Sequence, residues 1–574
     1  MKSQIGHTKC AAGLAGIVKV AAALHAGVRP PTGPIAEPNP GWTAETSPFF
    51  FDQQARPWPV PPEERHAGVS AFGFGGTNFH AVLSGYGGAP EPAHSSDEWP
   101  AELFCLRGSD LAEATGVAGR LASAVAANEA AGRPWRLCDL AGFAAGGPHR
   151  AAPVQLAFVA TDLDDLAAKL VAASAGGGTG IFVRGGAEPA PSDGPQSRTA
   201  DAEPRTADAE PGKVAFLFPG QGSQRPGMLS DLFVTFPRLH RHLRGPAARY
   251  ARVMFPPAAF TPAAREAQRQ AITDTAVAQP AMGIGGLAVY DLLTWLGIEP
   301  DLAGGHSFGE LVALAAAGAI PPGDLLGLGE ARAAAILAAA GDDPGTMAAV
   351  RGDEATVRAA LGAIPAASSV VIANLNAPDQ SVISGPTPAI AATLEGLADA
   401  GIAGRGIPVA CAFHSPVVAA AAPAFAEALE ACPVGAPAYP VWSNTTADEH
   451  DGNDPASIRT LLARQVAEPV RFVEQIEAMY TAGARVFIEC GPGRVLTGLV
   501  GKILGDRPHT AVACEVSGEP GLRRFLEALA QLAAAGVAID VAPLFTGRAL
   551  RAVTPEAIPA RPGWVIDGHL TRTA

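Results

Sequence analysis

A serine between two glycines, where an apolar run gives way to a helix, constrains the fold of this chain more than any other feature. Residues 305–309 read GHSFG and match the G-x-S-x-G elbow, a sharp strand-to-helix turn that exposes the serine hydroxyl. An apolar run after Pro300 precedes the motif, and an Ala-rich helix follows it until Pro321. The start of that helix aims backbone N–H groups at an anion beside Ser307. Because the chain holds 66 glycines, a chance match is the alternative, and partner residues elsewhere must decide.

The chain is long, acidic and rich in apolar residues. Its 574 residues suffice for three or four domains, and its net charge of −14 argues against nucleic acid or an anionic membrane surface as a partner. The seven cysteines lie far apart without a C-x-x-C pair, which indicates reduced thiols in the cytoplasm and no metal site. Every long apolar run contains a charge, a proline or several glycines, so we expect a soluble protein without a membrane-spanning helix.

The first 212 residues divide into three stretches of different character. A helix over 8–26 and a strand–turn–strand over 68–83 open the chain, a poor start for a domain because the helix has no partner and the strands have no sheet. A strand over 152–160 and an Asp-capped helix over 162–173 follow, without a catalytic constellation. Residues 186–212 are rich in Pro, Ala and acidic residues, which predicts a disordered insert.

A new globular unit begins at residue 213. A buried strand over 214–218 leads into a loop over 219–224, and the elbow follows further along the chain. Residues 347–410 follow the order β-α-β-β-α-β, which predicts a compact inserted subdomain of the split ferredoxin-like kind. Further strands are expected over 439–443 and 485–489, and a long helix over 521–536 precedes an irregular Pro-rich end.

A serine nucleophile needs a general base, and His414 is the best candidate. Apolar residues alternate from Ile407 to Phe413, which predicts a strand with His414 at its end. A purely structural histidine is the alternative. No Asp stands out as a third member, which departs from a hydrolase triad, and Gln465 could orient His414 by its side chain or its main-chain carbonyl. Taken alone, Gln465 is also compatible with an ordinary amide on a helix surface.

Arg332 lies in a predicted helix over 324–340 that is otherwise short of charge. A guanidinium fork suits one planar carboxylate, which it binds through two parallel hydrogen bonds. A solvated helix face, or an internal ion pair with Glu330 or another acidic residue, is the alternative. The sequence therefore allows, without requiring, a carboxylate-bearing substrate next to Ser307.

Taken together, four motifs in matching order closely resemble the malonyl-CoA:acyl-carrier-protein transacylase family over about residues 214–504; they lie at 216–224, 305–310, 374–385 and 489–493. The resemblance implies an α/β fold with an α/β-hydrolase-like large subdomain, built on a parallel sheet, and a ferredoxin-like small subdomain. By the same resemblance Ser307 is the nucleophile and His414 the general base. Gln221, together with the backbone N–H of Phe308, is then the oxyanion hole.

The resemblance also assigns residues to the substrate. Arg332 is the clamp on the malonyl carboxylate, Gln465 is the group that orients His414, and His306 and Phe413 line the binding site. Family members with an aromatic residue at the position of Phe413 resemble malonyl users, so we expect malonyl to be preferred over methylmalonyl, with some leakage. The implied reaction needs malonyl-CoA and an acyl carrier protein with its phosphopantetheine thiol, and no cofactor or metal of its own.

Residues 2–8 (KSQIGHT) and 73–78 (GFGGTN) resemble the closing motifs of a β-ketoacyl synthase. By that resemblance His7 is the second histidine of a thiolase-like site, Lys2 is its neighbouring lysine and Phe74 belongs to the second motif. The resemblance implies that the cysteine nucleophile and the other histidine of that family would belong to stretches upstream of Met1, which are not part of this sequence. We therefore expect an incomplete, catalytically inactive ketosynthase remnant, in which His7 is a structural or solvated residue.

These resemblances predict a type I polyketide synthase fragment, and the end PGWVIDGHLTRTA is similar to the same stretch of iterative enediyne-type synthases. The predicted parts are a ketosynthase remnant (1–88), a small α/β linker domain (89–185), the insert (186–212), the acyltransferase (213–515) and a final segment (516–574). The small subdomain of the acyltransferase is expected over about 345–411. The expected partners are malonyl-CoA, a carrier protein and the rest of the synthase, and a monomer is expected because most of the ketosynthase is missing.

Three alternatives remain open. A serine hydrolase or thioesterase would use water as the acceptor and would have no use for Arg332. The acyltransferase of a fatty-acid or polyunsaturated fatty-acid synthase would share the chemistry. A docking scaffold with an inactive acyltransferase is disfavoured, because all the matched catalytic positions are present.

Overall fold

A computed structural model describes residues 1–186, 212–555, 564–566 and 571–573, apart from residues 34, 45, 89, 148–149 and 342. The disordered insert predicted over 186–212, apart from its two end residues, and most of the enediyne-like end therefore lie outside the described residues. The chain divides into two compact units. The first comprises Met1–Ser95, Gly212–Thr294 and Glu299–Gly521, and the second comprises Ser96–Pro211, Trp295–Ile298 and Leu522–Ala574.

The first unit opens with helices and short strands. They are α1 (Lys2–Ile5), α2 (Ala12–Ala26), β1 (Val28–Arg29), β2 (Arg56–Pro57), β3 (His66–Phe72) and β4 (Asn78–Ser84). The strands β3 and β4 form an antiparallel hairpin, as the glycine turn between them predicts. The segment is joined to the rest of its unit, since the N–H of Ala258 donates to the carbonyl of Phe51 and the Trp42 ring meets Phe260 edge-on.

The second unit contains a small antiparallel sheet with helices on it. Its elements are β5 (Glu102–Arg107), α3 (Leu111–Ala130), α4 (Leu137–Ala145), β6 (Val154–Ala160), α5 (Leu163–Ser174) and β7 (Ile181–Val183). The strand order is β5-β6-β7. Asp162 caps α5 by accepting a hydrogen bond from the N–H of Asp165, as its position before the helix predicts. The stacked rings of Phe104 and Phe158 lie in the core of this unit.

The first unit resumes with the elements that carry the elbow. They are β8 (Lys213–Phe218), α6 (Ser230–Thr235), α7 (Ala248–Met254), α8 (Pro262–Thr273), α9 (Thr275–Trp295), β9 (Leu302–Gly305), α10 (Gly309–Ala316) and α11 (Pro322–Ala339). By length and composition, Lys9–Ala26 and Thr275–Trp295 could each span a membrane. The second of these stretches is 78% buried inside the protein, as expected for a core helix.

The inserted subdomain has the predicted order of elements. It consists of β10 (Thr346–Arg351), α12 (Glu354–Ala363), β11 (Val371–Ala377), β12 (Gln380–Gly385), α13 (Thr387–Asp399) and β13 (Gly404–Ile407). The sheet is antiparallel with strand order β11-β12-β10-β13, so the ferredoxin-like prediction is confirmed. The strand predicted to run to Phe413 is wrong. It ends at Ile407, because Pro408 has no N–H to continue the ladder, and His414 follows in an irregular segment.

The chain then returns to the large subdomain with α14 (Ala421–Glu430), β14 (Val441–Trp442), α15 (Pro455–Gln465), α16 (Phe472–Thr481), β15 (Ala484–Glu489), α17 (Val495–Leu504) and β16 (Thr510–Ala513). The large sheet is parallel throughout, with order β14-β9-β8-β15-β16, which confirms the α/β prediction. Neighbouring strands β8 and β9 end side by side at Phe218 and Gly305. The loops that follow them therefore meet at one edge of the sheet. The described residues that follow include α18 (Gly521–Ala534), β17 (Trp564–Ile566) and β18 (Thr571–Thr573).

Candidate active site

The elbow between β9 and α10 brings the Ser307 hydroxyl to the edge of the parallel sheet. Ser307 has a φ of +53°, the left-handed conformation that this turn requires. Two glycines at this turn, one in the elbow and one in the facing loop, leave no room for a side chain. A Cβ on Gly309 would lie 1.9 Å from the carbonyl oxygen of Phe218, and one on Gly220 would lie 2.3 Å from that of His306. The 219–224 loop therefore lies directly against the elbow.

His414 lies within hydrogen-bonding distance of the serine. Its Nε2 is 2.7 Å from Ser307 Oγ, and its Nδ1 lies 2.9 Å from the carbonyl oxygen of Gln465 and 3.0 Å from that of Glu468. Because both carbonyls can only accept, Nδ1 carries the proton and Nε2 accepts from the serine hydroxyl. The main-chain carbonyl of Gln465, one of the two possibilities left open by the sequence, thus orients the imidazole.

The surroundings keep His414 neutral. Burial first, and then the positive charge of Arg332 and the nearby His306, lower the pKa of His414 from 6.5 to about 3. The two main-chain carbonyls on Nδ1 act in the opposite direction and are outweighed. At neutral pH the imidazole is therefore uncharged and can accept a proton from Ser307.

Gln465 is a buried connector and not a surface amide. Its Nε2 donates to the carbonyl oxygen of Ser307 at 2.9 Å and to the Glu310 carboxylate, and its Oε1 accepts from Arg332 at 3.2 Å. The other oxygen of Glu310 lies 2.8 Å from Nε2 of His450. One amide side chain thus separates a buried carboxylate from a buried guanidinium and fixes the position of both relative to the elbow.

Arg332 is a buried cation with few partners. The Arg332 side chain is 1% exposed. Among the described residues, its one hydrogen bond is the bond from NH2 to Gln465 Oε1. Its Nε is buried without a partner there. Burial lowers the pKa of Arg332 to about 10, so the group still carries its charge at neutral pH. The predicted alternative, a pair with Glu330, does not occur, since Glu330 accepts from Arg249 and Tyr250.

One cavity of about 210 Å³ unites most of the predicted residues; its walls include Gln221, His306, Ser307, Arg332, Phe413 and His414. The Gln221 side chain donates to Thr275 Oγ1 at 3.3 Å. Across the described part of the chain, the backbone N–H groups of Gln221 and Phe308 have no hydrogen-bond acceptor. Phe308 is the N-cap of α10, and its ring is fully buried.

The remaining predicted residues fall into two groups. His306 Nε2 lies 2.9 Å from Asn376 Oδ1, and burial lowers the pKa of this histidine. Lys2, His7 and Phe74, in contrast, are exposed residues of the N-terminal segment and do not line the cavity.

Four residues that hold the elbow were not predicted from the sequence: Glu310, Asn444, His450 and Gln475. Asn444 accepts from the N–H of Ser307 and donates to Gln475 Oε1 at 2.8 Å, and its own N–H donates to Glu310 at 2.9 Å. A usable signal was the position of Asn444, a polar residue directly after a predicted strand. Because β14 pairs with β9 in parallel, its carboxyl end lies beside the elbow.

Comparison with known proteins identifies the families that this chain resembles. The chain matches the family model of the acyl transferase domain over residues 215–539 and that of the C-terminal domain of β-ketoacyl synthases over residues 1–36. It is 31% identical to a polyunsaturated fatty acid synthase protein of Thraustochytrium sp., in a match covering 94% of this chain and 20% of that protein. It is 30% identical to the phenolphthiocerol synthesis polyketide synthase type I Pks15/1 of Mycobacterium marinum, covering 99% of this chain and 26% of that protein.

A solved structure supports the same assignment. The acyltransferase domain from the second module of the salinomycin polyketide synthase aligns with a TM-score of 0.57 and 29% identity, over 75% of this chain and 93% of that chain. The chain spans about a fifth to a quarter of the length of the two relatives above. With a family model matching more than half of its residues, the chain belongs to the acyl transferase domain family.

Proposed function

We propose that this chain loads a malonyl group from malonyl-CoA onto Ser307 and transfers it to the phosphopantetheine thiol of an acyl carrier protein in a cytoplasmic polyketide synthase. The observation that carries the proposal is the environment of Arg332. A fully buried guanidinium, with one hydrogen bond from the described residues, shares a cavity with the Ser307–His414 pair.

The energetics of Arg332 favour an acyl group with a free carboxylate. Removing a guanidinium from water is costly unless a counter-charge and hydrogen bonds replace the solvent. A malonyl carboxylate supplies both, whereas acetyl supplies neither and leaves the cation unpaired. Glu310 does not provide the counter-charge directly, because Gln465 lies between the two groups.

The geometry supports a first half-reaction at the thioester of malonyl-CoA. His414 Nε2 takes the proton of Ser307 Oγ as the oxygen attacks the thioester carbon. The carbonyl becomes an oxyanion, which the backbone N–H groups of Gln221 and Phe308 stabilise at the start of α10. The C–S bond then breaks, His414 returns its proton to the departing CoA sulfur, and malonyl-Ser307 remains.

The second half-reaction reverses these steps with a different thiol. His414 takes the proton of the phosphopantetheine thiol, and the sulfur attacks the ester carbon of malonyl-Ser307. The ester C–O bond breaks, and Ser307 regains its proton from His414. Two half-reactions at one site predict ping-pong kinetics.

The choice between malonyl and methylmalonyl rests on shape. Phe413 is buried and lines the cavity, so its bulk would limit the space for a branch on the α-carbon. One methyl group is worth about 1–3 kcal/mol in such a pocket. We therefore propose malonyl as the preferred extender and methylmalonyl as a slower substrate.

A serine hydrolase is the alternative within the same chemistry. A hydrolase of the triad type orients its histidine with a carboxylate. Here the two groups on His414 Nδ1 are main-chain carbonyls, and a buried arginine occupies the cavity wall. Both features favour an acyl transferase over a hydrolase. The other alternative is the acyltransferase of a polyunsaturated fatty acid synthase, which would load the malonyl group by the same two half-reactions.

Intact-mass spectrometry tests the proposal. Incubated with malonyl-CoA, the chain should gain one malonyl group, and Ser307→Ala should gain none. With malonyl-CoA and acetyl-CoA in competition, Arg332→Ala should load malonyl about a hundredfold less efficiently while gaining acetyl, because a charge-assisted carboxylate contact is lost. Arg358→Ala, an exposed arginine on α12, is the matched control and should keep the wild-type preference. Equal loss of both acyl donors in Arg332→Ala would contradict the clamp.

A further inference from the structure

A glutamine in the cavity wall has no part in the reaction described above. Gln279 lies on α9, is 0% exposed and lines the same cavity as Ser307 and Arg332. Neither its Oε1 nor its Nε2 finds a hydrogen-bond partner among the residues that the structure describes. Buried amides without partners are rare in folded proteins, because the lost hydration is not replaced. A ligand group that pairs with Gln279 when it binds in the cavity removes that penalty.

The helix α9 places Gln279 between the elbow loop and Arg332. One turn earlier on α9, Thr275 accepts a hydrogen bond from the Gln221 side chain. On the other side, a Cβ on Gly329 would lie 3.6 Å from the backbone nitrogen that follows Gln279. Gly329 stands one turn before Arg332 on α11. Gln279 and Arg332 therefore both line the cavity into which an acyl group on Ser307 would extend.

The free carboxylate of the acyl group needs more donors than Arg332 alone supplies. A carboxylate offers about four acceptor sites. Arg332 already uses NH2 for Gln465 Oε1, so part of its fork is committed. The thioester carbonyl at Ser307 is the other acceptor in the substrate, and the backbone N–H groups of Gln221 and Phe308 are available to it. The carboxylate is thus the group left with unsatisfied acceptors beside Gln279.

We propose that Gln279 is a second recognition group for that carboxylate, with its Nε2 donating a hydrogen bond to one oxygen while Arg332 neutralises the charge. The inference rests on the proposed malonyl loading and adds a residue that discriminates between carboxylated and neutral acyl groups. An acetyl group reaches neither Gln279 nor Arg332. Methylmalonyl carries the same carboxylate as malonyl, so Gln279 does not distinguish these two.

The test is Gln279→Leu, which keeps nearly the same size and removes both polar atoms. In transfer from CoA to a carrier protein, kcat/KM for malonyl should fall about tenfold, mainly through a higher KM, because the contact exists before the reaction starts. The rate with acetyl should stay equal or rise, and the malonyl-to-methylmalonyl ratio should not change. Thermal unfolding should not shift to lower temperature, because no partner of Gln279 is left unpaired.

Gln155→Leu provides the matched control. Gln155 is a buried glutamine of the second unit whose Nε2 donates to the carbonyl oxygen of Gly108 at 3.1 Å. Its replacement should lower thermal stability and leave acyl selectivity unchanged. Gln279→Met, unbranched like glutamine, repeats the test if the leucine variant does not fold.

The outcomes separate this inference from the proposed function. If wild type loads malonyl and Gln279→Leu or Gln279→Met keeps the wild-type malonyl-to-acetyl ratio, the inference is overturned and the proposed function stands. If wild type does not load malonyl at all, both are overturned. A lower melting temperature with an unchanged ratio would assign Gln279 a purely structural role.

Discussion

Two residues of the candidate site adopt the left-handed backbone conformation, which residues other than glycine rarely adopt. Ser307 and His414 have φ values of +53° and +55°. A left-handed conformation costs about 1–2 kcal/mol at a residue other than glycine. Neighbours stabilise both: Asn444 accepts from the N–H of Ser307, Gln465 donates to its carbonyl, and the N–H of His414 donates to Val466. The reacting pair is therefore held in place by residues distant in sequence.

The lowered pKa of His414 predicts how acylation depends on pH. An imidazole with the ordinary pKa of about 6.5 would be mostly protonated near pH 5 and unable to act as a base. With a pKa lowered to about 3, His414 remains neutral there. We expect the single-turnover rate of Ser307 acylation near pH 5 to stay within about twofold of the rate near pH 7.

Rapid quenching followed by intact-mass spectrometry measures that rate, and circular dichroism at each pH verifies that the chain remains folded. The malonyl carboxyl group does not interfere, since carboxyl groups with ordinary pKa values of about 4 are ionised over this range. An acid limb with a midpoint near pH 6.5 would show that the imidazole is not shielded from protonation.

Among the secondary-structure elements, the sequence predicts those that depend on residues close together in the chain. The elbow follows from glycines that only a close backbone approach explains, and the small subdomain follows from the order of its strands and helices. The strand up to Phe413 was predicted wrongly, because alternating apolar residues also occur in an irregular buried segment after Pro408. Glu310, His450 and Gln279 lie far apart in the sequence, so their positions around the elbow depend on tertiary contacts that no local sequence pattern records.

The steric fit of the elbow predicts a contrast between two glycine substitutions. Gly309→Ala places a methyl group 1.9 Å from the backbone oxygen of Phe218, so β8 and α10 must move apart. We expect it to lower the free energy of unfolding by about 1–3 kcal/mol, and to lower acylation of Ser307 at least about a hundredfold, because the oxyanion loop moves with β8.

Gly327→Ala is the matched control in this pair. Gly327 lies inside α11, and a Cβ there would meet no atom within 4 Å. Alanine should therefore stabilise the helix by up to about 1 kcal/mol and leave acylation unchanged. Denaturant unfolding and the intact-mass assay measure the two effects. Equal behaviour of both variants would mean that the close approach at Gly309 is not a requirement of the elbow.

At the scale of the molecule, the first compact unit includes the N-terminal segment up to Ser95 together with most of the acyltransferase. Glu91 is a central connection in it, because its carboxylate pairs with both Arg65 and Arg244. The Arg65 guanidinium is almost fully buried and also donates to the carbonyl oxygens of Val60 and Leu24. Residues 90–95 were assigned from the sequence to the linker domain, and these ion pairs explain why the structure groups them with the first unit.

This shared carboxylate predicts a pH-dependent loss of stability in Glu91→Gln. Near pH 7 the variant leaves a buried guanidinium without its counter-charge, so we expect the free energy of unfolding to fall by about 3 kcal/mol. Burial alone would raise the pKa of Glu91, but Arg244 and Arg65 outweigh it and hold the pKa below its ordinary value of 4.5. A lowered folded pKa means that the carboxylate stabilises the protein fully above the unfolded pKa, and that this stability is lost as the pH falls through the folded pKa.

The difference between wild type and Glu91→Gln should therefore be constant from about pH 8 to pH 5 and shrink below about pH 4.5, as wild type loses the charge that the variant already lacks. Calorimetric unfolding across this range measures the difference. Glu64→Gln, which replaces an exposed glutamate of the same segment, should track wild type at every pH. A constant gap that persists at the lowest pH would attribute the destabilisation to altered packing and not to the Glu91 charge. If the difference in the free energy of unfolding between wild type and Glu91→Gln disappears at low pH, the Glu91 carboxylate is an electrostatic link between the N-terminal segment and the acyltransferase.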